Sequence, residues 1–147
     1  NATGNDPDDN YGYAVSIEAD YLAIGIPQEA GPGNGKVELR KRSGSMWNDY
    51  GTITGVTTGG TFGESVAINE DFLIIGDPSA NTTYVYSNNT SSYTRLREIK
   101  DPAPNSPNVT VGASSALNGF NVLTSSDRPP CGFCPAFPGK VYFLNLE

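Results

Sequence analysis

Apolar and polar residues alternate along this chain in short runs. Over 13–18, Val15 and Ile17 share one face, the period of two that predicts a strand. Ala19-Asp20 then reads as a turn. Over 21–26, Leu22, Ile24 and Ile26 fall on one face and Tyr21, Ala23 and Gly25 on the other. Both faces are partly apolar, as in a sheet covered on both sides. Gly25 inside such a strand predicts close approach by a neighbouring backbone. Pro27 ends the strand and a Gly/Pro-rich loop covers 28–35. A third strand is predicted at 36–42, closed by Ser43-Gly44-Ser45, and a fourth at 47–53. Together they make a four-stranded antiparallel meander. The plan returns with strands at 63–68, 72–76, 83–86 and 93–99, and with only 79–82 between the second and third.

The recurrence is literal. Tyr11-Gly12 through Gly25-Ile26-Pro27 reappears without a gap as Phe62-Gly63 through Gly76-Asp77-Pro78, a step of 51 residues. A degraded third copy runs from Val111-Gly112, 49 residues on, but ends in Ser125-Ser126-Asp127 where Gly-x-Pro is expected. An insertion at 128–138 separates it from a last strand at 140–144. A fixed period of this size marks stacked units, each too small to bury its own core. The expected divisions are a polar segment 1–10, units 11–60 and 61–110, and an incomplete unit 111–147.

The Tyr-Gly/Phe-Gly to Gly-x-Pro spacing, the cores Ser65-Val66-Ala67-Ile68 and Asp71-Phe72-Leu73-Ile74-Ile75, and the later Gly-x-Val strand resemble FG-GAP repeats, the blades of integrin-α-type β-propellers. The resemblance spans Tyr11 to Leu144. It implies an all-β fold of four-stranded blades packed face to face, usually seven in a closed ring. About three blades, the last lacking its outer strand, imply an open stack. Such a stack exposes a blade face at each end and an unpaired sheet edge, features that drive association. The expected partner is another copy of the chain, joined by blade faces or a donated strand into an oligomer or filament. The alternative is a piece of a larger integrin-like propeller that binds ligands at the cell surface. A polysaccharide-acting propeller enzyme would need an acidic cluster in a central funnel, and none is visible.

Composition narrows the chemistry. The 147 residues include 17 Gly, 11 Pro and no His. Without His the commonest general base and metal ligand are missing. There is no Gly-x-Ser-x-Gly elbow and no phosphate-binding loop; Gly31 to Gly35 reads as a hairpin loop. No catalytic residue or bound cofactor is expected, and the chain is read as not an enzyme. The net charge is −7 and the longest basic run is Arg40-Lys41-Arg42, split between two strand faces, so no nucleic-acid partner is expected. No run approaches the roughly 18 apolar residues of a membrane span. The start carries no Met and no signal-like apolar run, as in a processed form or a piece of a longer protein.

Five sequons begin at Asn1, Asn81, Asn88, Asn89 and Asn108, all in loop-like stretches. They predict a secreted or cell-surface glycoprotein with N-linked glycans. Cys131-Gly132-Phe133-Cys134, between prolines, reads as a disulfide pinching its loop rather than a redox pair. Calcium is the usual ion of the resembled family. The turns at 17–20 and 68–71 are too short to wrap a cation. That leaves Asp6, Asp8 and Asp9 as the calcium candidate, set against a solvated acidic linker, and no metal is expected. Trp47 and Tyr50 are expected at a blade edge, Tyr11 and Phe62 between blades.

Overall fold

The computed structural model describes residues 9–27, 33–89, 91–101, 110–127 and 139–147. These form eleven strands in three antiparallel sheets, with no α-helix among the described residues. The first sheet holds β1 (Val15–Glu18), β2 (Tyr21–Ile26), β3 (Lys36–Ser43) and β4 (Met46–Thr54) in that order. The second repeats it with β5 (Ser65–Ile68), β6 (Phe72–Asp77), β7 (Thr82–Asn88) and β8 (Tyr93–Lys100). The third has β9 (Thr110–Asn118), β10 (Asn121–Asp127) and β11 (Lys140–Asn145), with β10 in the middle. The architecture is an all-β, open set of propeller-like blades.

The repeat survives in register. Ile24 pairs with Val15 and Glu38, as Ile75 pairs with Val66 and Tyr84. Each outer strand also carries a bulge at the same point. Leu39 faces Gly51 and Arg40 faces Asp49, leaving Tyr50 as the extra residue; Leu96 is extra in β8. The strands begin later than alternation predicts, at Val15 and Ser65, because Gly12 and Gly63 have φ of 83° and 97°. That conformation suits glycine and bends the chain into the sheet. The short connection in the second blade is a single 3-10 turn, Pro78–Ala80, and Thr82 already belongs to β7. Asp77 caps the turn: its carboxylate accepts from Ser79 Oγ at 2.7 Å and from the Ala80 N–H.

Two cores lie between the three blades. One joins Tyr21, Ala23, Val37 and Leu39 of blade 1 to Phe62, Val66, Ile68, Leu73, Ile75, Tyr84 and Tyr86 of blade 2. The other joins Ala67, Ile74 and Val85 of blade 2 to Val122 of blade 3, with Leu117, Leu144 and Leu146 packed alongside. Blade 2 is thus apolar on both faces because both are covered.

Candidate functional site

The blades meet at their glycines. A Cβ on Gly25, in Gly-x-Pro of unit 1, would fall on the carbonyl oxygen of Gly63 in Phe-Gly of unit 2. A Cβ on Gly76 would fall in the same way on the carbonyl oxygen of Gly112. Within a unit the same glycines are hydrogen bonded: the Gly12 N–H donates to Gly25 O at 3.1 Å and the Gly63 N–H to Gly76 O at 2.9 Å. One series, Gly12, Gly25, Gly63, Gly76 and Gly112, therefore threads the stack, alternating contacts within and between blades. Only a residue without Cβ allows two backbones so close.

The two joints differ chemically around this shared seam. Between blades 1 and 2, Phe62 is buried against Tyr84, ring centroids 5.5 Å apart, with Gly35 and Gly55 walling it in. At the outer edge, edge-to-face contacts run Tyr21–Tyr50–Tyr93, and the Tyr50 hydroxyl donates to Asn88 Oδ1 at 3.2 Å. Burial pushes the hydroxyl pKa of Tyr86 up to about 12 and raises that of Tyr93 as well. Between blades 2 and 3, hydroxyls take over. Ser65 Oγ donates to Gly112 O at 2.8 Å, and buried Thr83 and Thr124 share a hydrogen bond of 2.7 Å. These three buried hydroxyls are all partnered, whereas the buried Tyr142 hydroxyl beside Thr124 has no hydrogen-bond partner among the described residues.

Outside these joints two faces stay open. On blade 1, Val15 and Ile17 are 65% and 63% exposed. Their repeat counterparts Val66 and Ile68 are 8% and 4% exposed, pressed against the preceding blade. Ile24 and Ile26, on the same blade 1 face, are buried. Tyr11 corresponds to Phe62, but it lies on this open face and not between blades. It correspondingly meets a polar group: its hydroxyl donates to Glu38 Oε2 at 3.1 Å, where Phe62 meets Tyr84. Glu38 also pairs with Arg40 at 2.9 Å. Partial burial, then the Glu38 hydrogen bond, raises the Tyr11 pKa. On blade 3, Val141 and Phe143 are 56% and 77% exposed beside a shallow hollow lined by Ser114, Ala116, Leu123 and Ser125.

Other predicted residues fall as follows. Arg42 pairs with Asp20 at 2.7 Å and reaches over Trp47 on the outer edge. Lys41, on the opposite face, lies over the Tyr21 and Tyr50 rings. Asp9 is not part of a solvated linker: it is buried, and its carboxylate accepts the Tyr11 N–H at 3.0 Å, fixing the turn into blade 1. No group of three acidic, His or Cys side chains that could hold a metal occurs among the described residues. Asn81 closes the 3-10 turn with φ 52° while its Oδ1 accepts the Val111 N–H at 2.8 Å. Asn88 Nδ2 donates to Glu70 O at 2.7 Å. Asn89 is the exposed member of the three, its Nδ2 donating to Thr94 Oγ1 at 2.9 Å. Asn1, Asp6, Asp8, Asn108, Cys131 and Cys134 lie outside the described residues.

Sequence reasoning missed Asn69. It reads as one residue of a short turn, yet it is buried and spans blades 2 and 3. Its Oδ1 accepts from the Asp71 and Phe72 N–H groups and its Nδ2 donates to Gly119 O at 2.9 Å. Asn at a turn entry was the available signal, since its side chain readily caps local backbone. Among the described residues no helix is long and apolar enough to cross a membrane. No family model matches the chain, and no curated protein matches it.

Proposed function

We propose that this chain is a secreted, glycosylated, non-enzymatic module of extracellular structure or adhesion, of the FG-GAP type, that works by association at the open ends of its blade stack. Copies of itself are the first partner, joined by strand addition at β11 into an oligomer or filament, and the open blade 1 face is a second joining surface. The observation that carries this reading is the contrast between Val15–Ile17 and Val66–Ile68. The same residue types stand in the same register, buried where a blade precedes them and open where none does among the described residues. The three-stranded third sheet supports strand addition, since both complete blades carry a fourth strand beyond the counterpart of β11. Asn89 is the favoured glycan site because it is exposed at a turn.

Light scattering on the purified intact chain across a concentration series tests this. The expected mass rises with concentration above 15.6 kDa plus attached glycan. A folded chain that stays monomeric at the highest concentration would refute self-association. A second reading, part of a larger propeller, is favoured by Gly12, which keeps the φ of a joint glycine with no described residue where its Cβ would stand.

A further inference from the structure

The glycine series ends before the stack does. By register, Ser125 stands where Gly25 and Gly76 stand: Gly76 pairs with Ser65 and Thr83, and Ser125 pairs with Ser114 and Val141. The rest of this blade 3 face keeps the character of a joining face. Leu123 replaces Ile74, Phe143 replaces Val85 and Val141 replaces Thr83; Phe143 and Val141 are exposed and Leu123 is half-buried. Apolar residues are therefore retained while the one point that must lack a Cβ has gained one. In both internal joints a Cβ at that point lands on the next unit's glycine carbonyl. A further blade seated on blade 3 through the same seam would meet the same collision with the Ser125 side chain.

Blade 1 shows the opposite condition. Gly12 has φ 83°, beside 97° and 101° at Gly63 and Gly112, and no described residue lies within 4 Å of its would-be Cβ. Its side of the seam is formed and unoccupied by any described residue, next to exposed Val15 and Ile17. Neither internal glycine of a second copy can fill it, because Gly25 and Gly76 are already held against Gly63 and Gly112.

We propose that the joint is one-sided: the blade 1 face docks a blade supplied from outside these 147 residues, bearing glycine at the Gly25 position, and Ser125 bars blade 3 of a second copy from that role. The proposal rests on the reading of the blade 1 face as a joining surface. It assigns any self-association of the chain to other surfaces, such as the β11 edge.

The test compares the intact chain with Ser125→Gly, Ser125→Ala and Ile17→Lys, alone and combined, by sedimentation over a concentration series, with circular dichroism to confirm folding. Ser125→Gly supplies the missing glycine blade. Relief of one backbone collision is expected to lower its association midpoint at least about tenfold. Ile17→Lys in the same chain should abolish that gain, and Ser125→Ala, which keeps the Cβ, should match the parent. Ile17→Lys alone should leave any association of the parent unchanged. A Ser125→Gly chain that associates no better than the parent overturns the proposal, as does a parent whose association is weakened by Ile17→Lys. The second comparison stands even where Ser125→Gly does not fold. A parent that is wholly monomeric refutes self-association as the function, while the Ser125→Gly arm still decides the one-sided joint.

Discussion

Replacing Gly76 by alanine adds one methyl group to a strand interior, a change that is ordinarily mild. Here the methyl would land on Gly112 O and on Ser65 Oγ together. Relief requires blades 2 and 3 to part or β6 to shift, since two of the three obstructing groups belong to backbone. Overpacking of this kind costs about 1–3 kcal/mol. The displaced Ser65 hydroxyl gives up its bonds to Gly112 O and Ser115 Oγ, 2.8 and 2.9 Å long, at about 1 kcal/mol each. Reduced freedom of the unfolded chain returns about 0.4–1 kcal/mol. The net expectation is a loss of about 2–4 kcal/mol, or roughly 5–15 °C in melting temperature for a chain near this size.

Urea unfolding, followed by far-ultraviolet circular dichroism and by the fluorescence of Trp47, measures it. Trp47 is the only tryptophan and lies in blade 1. Stacked repeats are coupled mainly to their nearest neighbours, so blade 3 should unfold first, with sheet signal lost before Trp47 responds. Gly44→Ala is the control. Gly44 has φ 61° with nothing near its Cβ position, and the substitution should cost only the left-handed backbone penalty of about 1–2 kcal/mol, without separating the two signals. Equal stability of Gly76→Ala and the parent, or coincident transitions in the variant, would refute the glycine seam as a joint.

Two further outcomes follow from the same geometry. Phe62→Ala should cost about 3–5 kcal/mol in the same urea assay, while Tyr11→Ala, at the matching position of the open face, should cost under about 1 kcal/mol beyond loss of its Glu38 hydrogen bond. Raised pH should destabilise the chain between about pH 10 and 12. Tyr86 has its pKa pushed from 10.0 up to about 12 by burial, so its contribution is whole below pH 10 and is lost as pH rises toward the folded value. Tyr93, shifted in the same direction, adds to this, and tyrosinate absorbance should lag in the native state and appear together with unfolding; Tyr86→Phe should move the transition upward in pH.

Much of this was legible because it is periodic. Strands alternate, units recur every 51 or 49 residues, and both faces of the predicted second strand are apolar. Gly25 announced that some backbone approaches closely. That the approaching group is Gly63 was hidden, because the contact depends on how one sheet seats against the next and alternation reports only which face a residue occupies. The same limit misplaced Tyr11. Its sequence position matches Phe62, but with no preceding blade among the described residues it meets Glu38 in place of an aromatic ring. The sequons show a different difficulty. Asn81 and Asn88 fit the glycosylation pattern and also serve the turns they sit in, since the same amide that can carry a sugar also caps backbone. Sequence offers no way to separate the two uses.

The decay of the third unit has a direction that hydrophobicity alone would conceal. Leu123, Val141 and Phe143 would pass as a joining face on area, and exposed apolar area invites association. Area sets how strongly two sheets attract, whereas the seam sets whether they reach contact distance. Dispersion falls away steeply once a gap opens, so a Cβ that holds two blades apart weakens every contact around it. On the one-sided joint proposed above, one serine in a glycine position outweighs the retained apolar side chains Leu123, Val141 and Phe143. The same logic gives the intact Gly12 its weight: under that proposal the end of the stack that closes on a partner is the one whose backbone, rather than whose apolar surface, keeps the geometry of an internal joint.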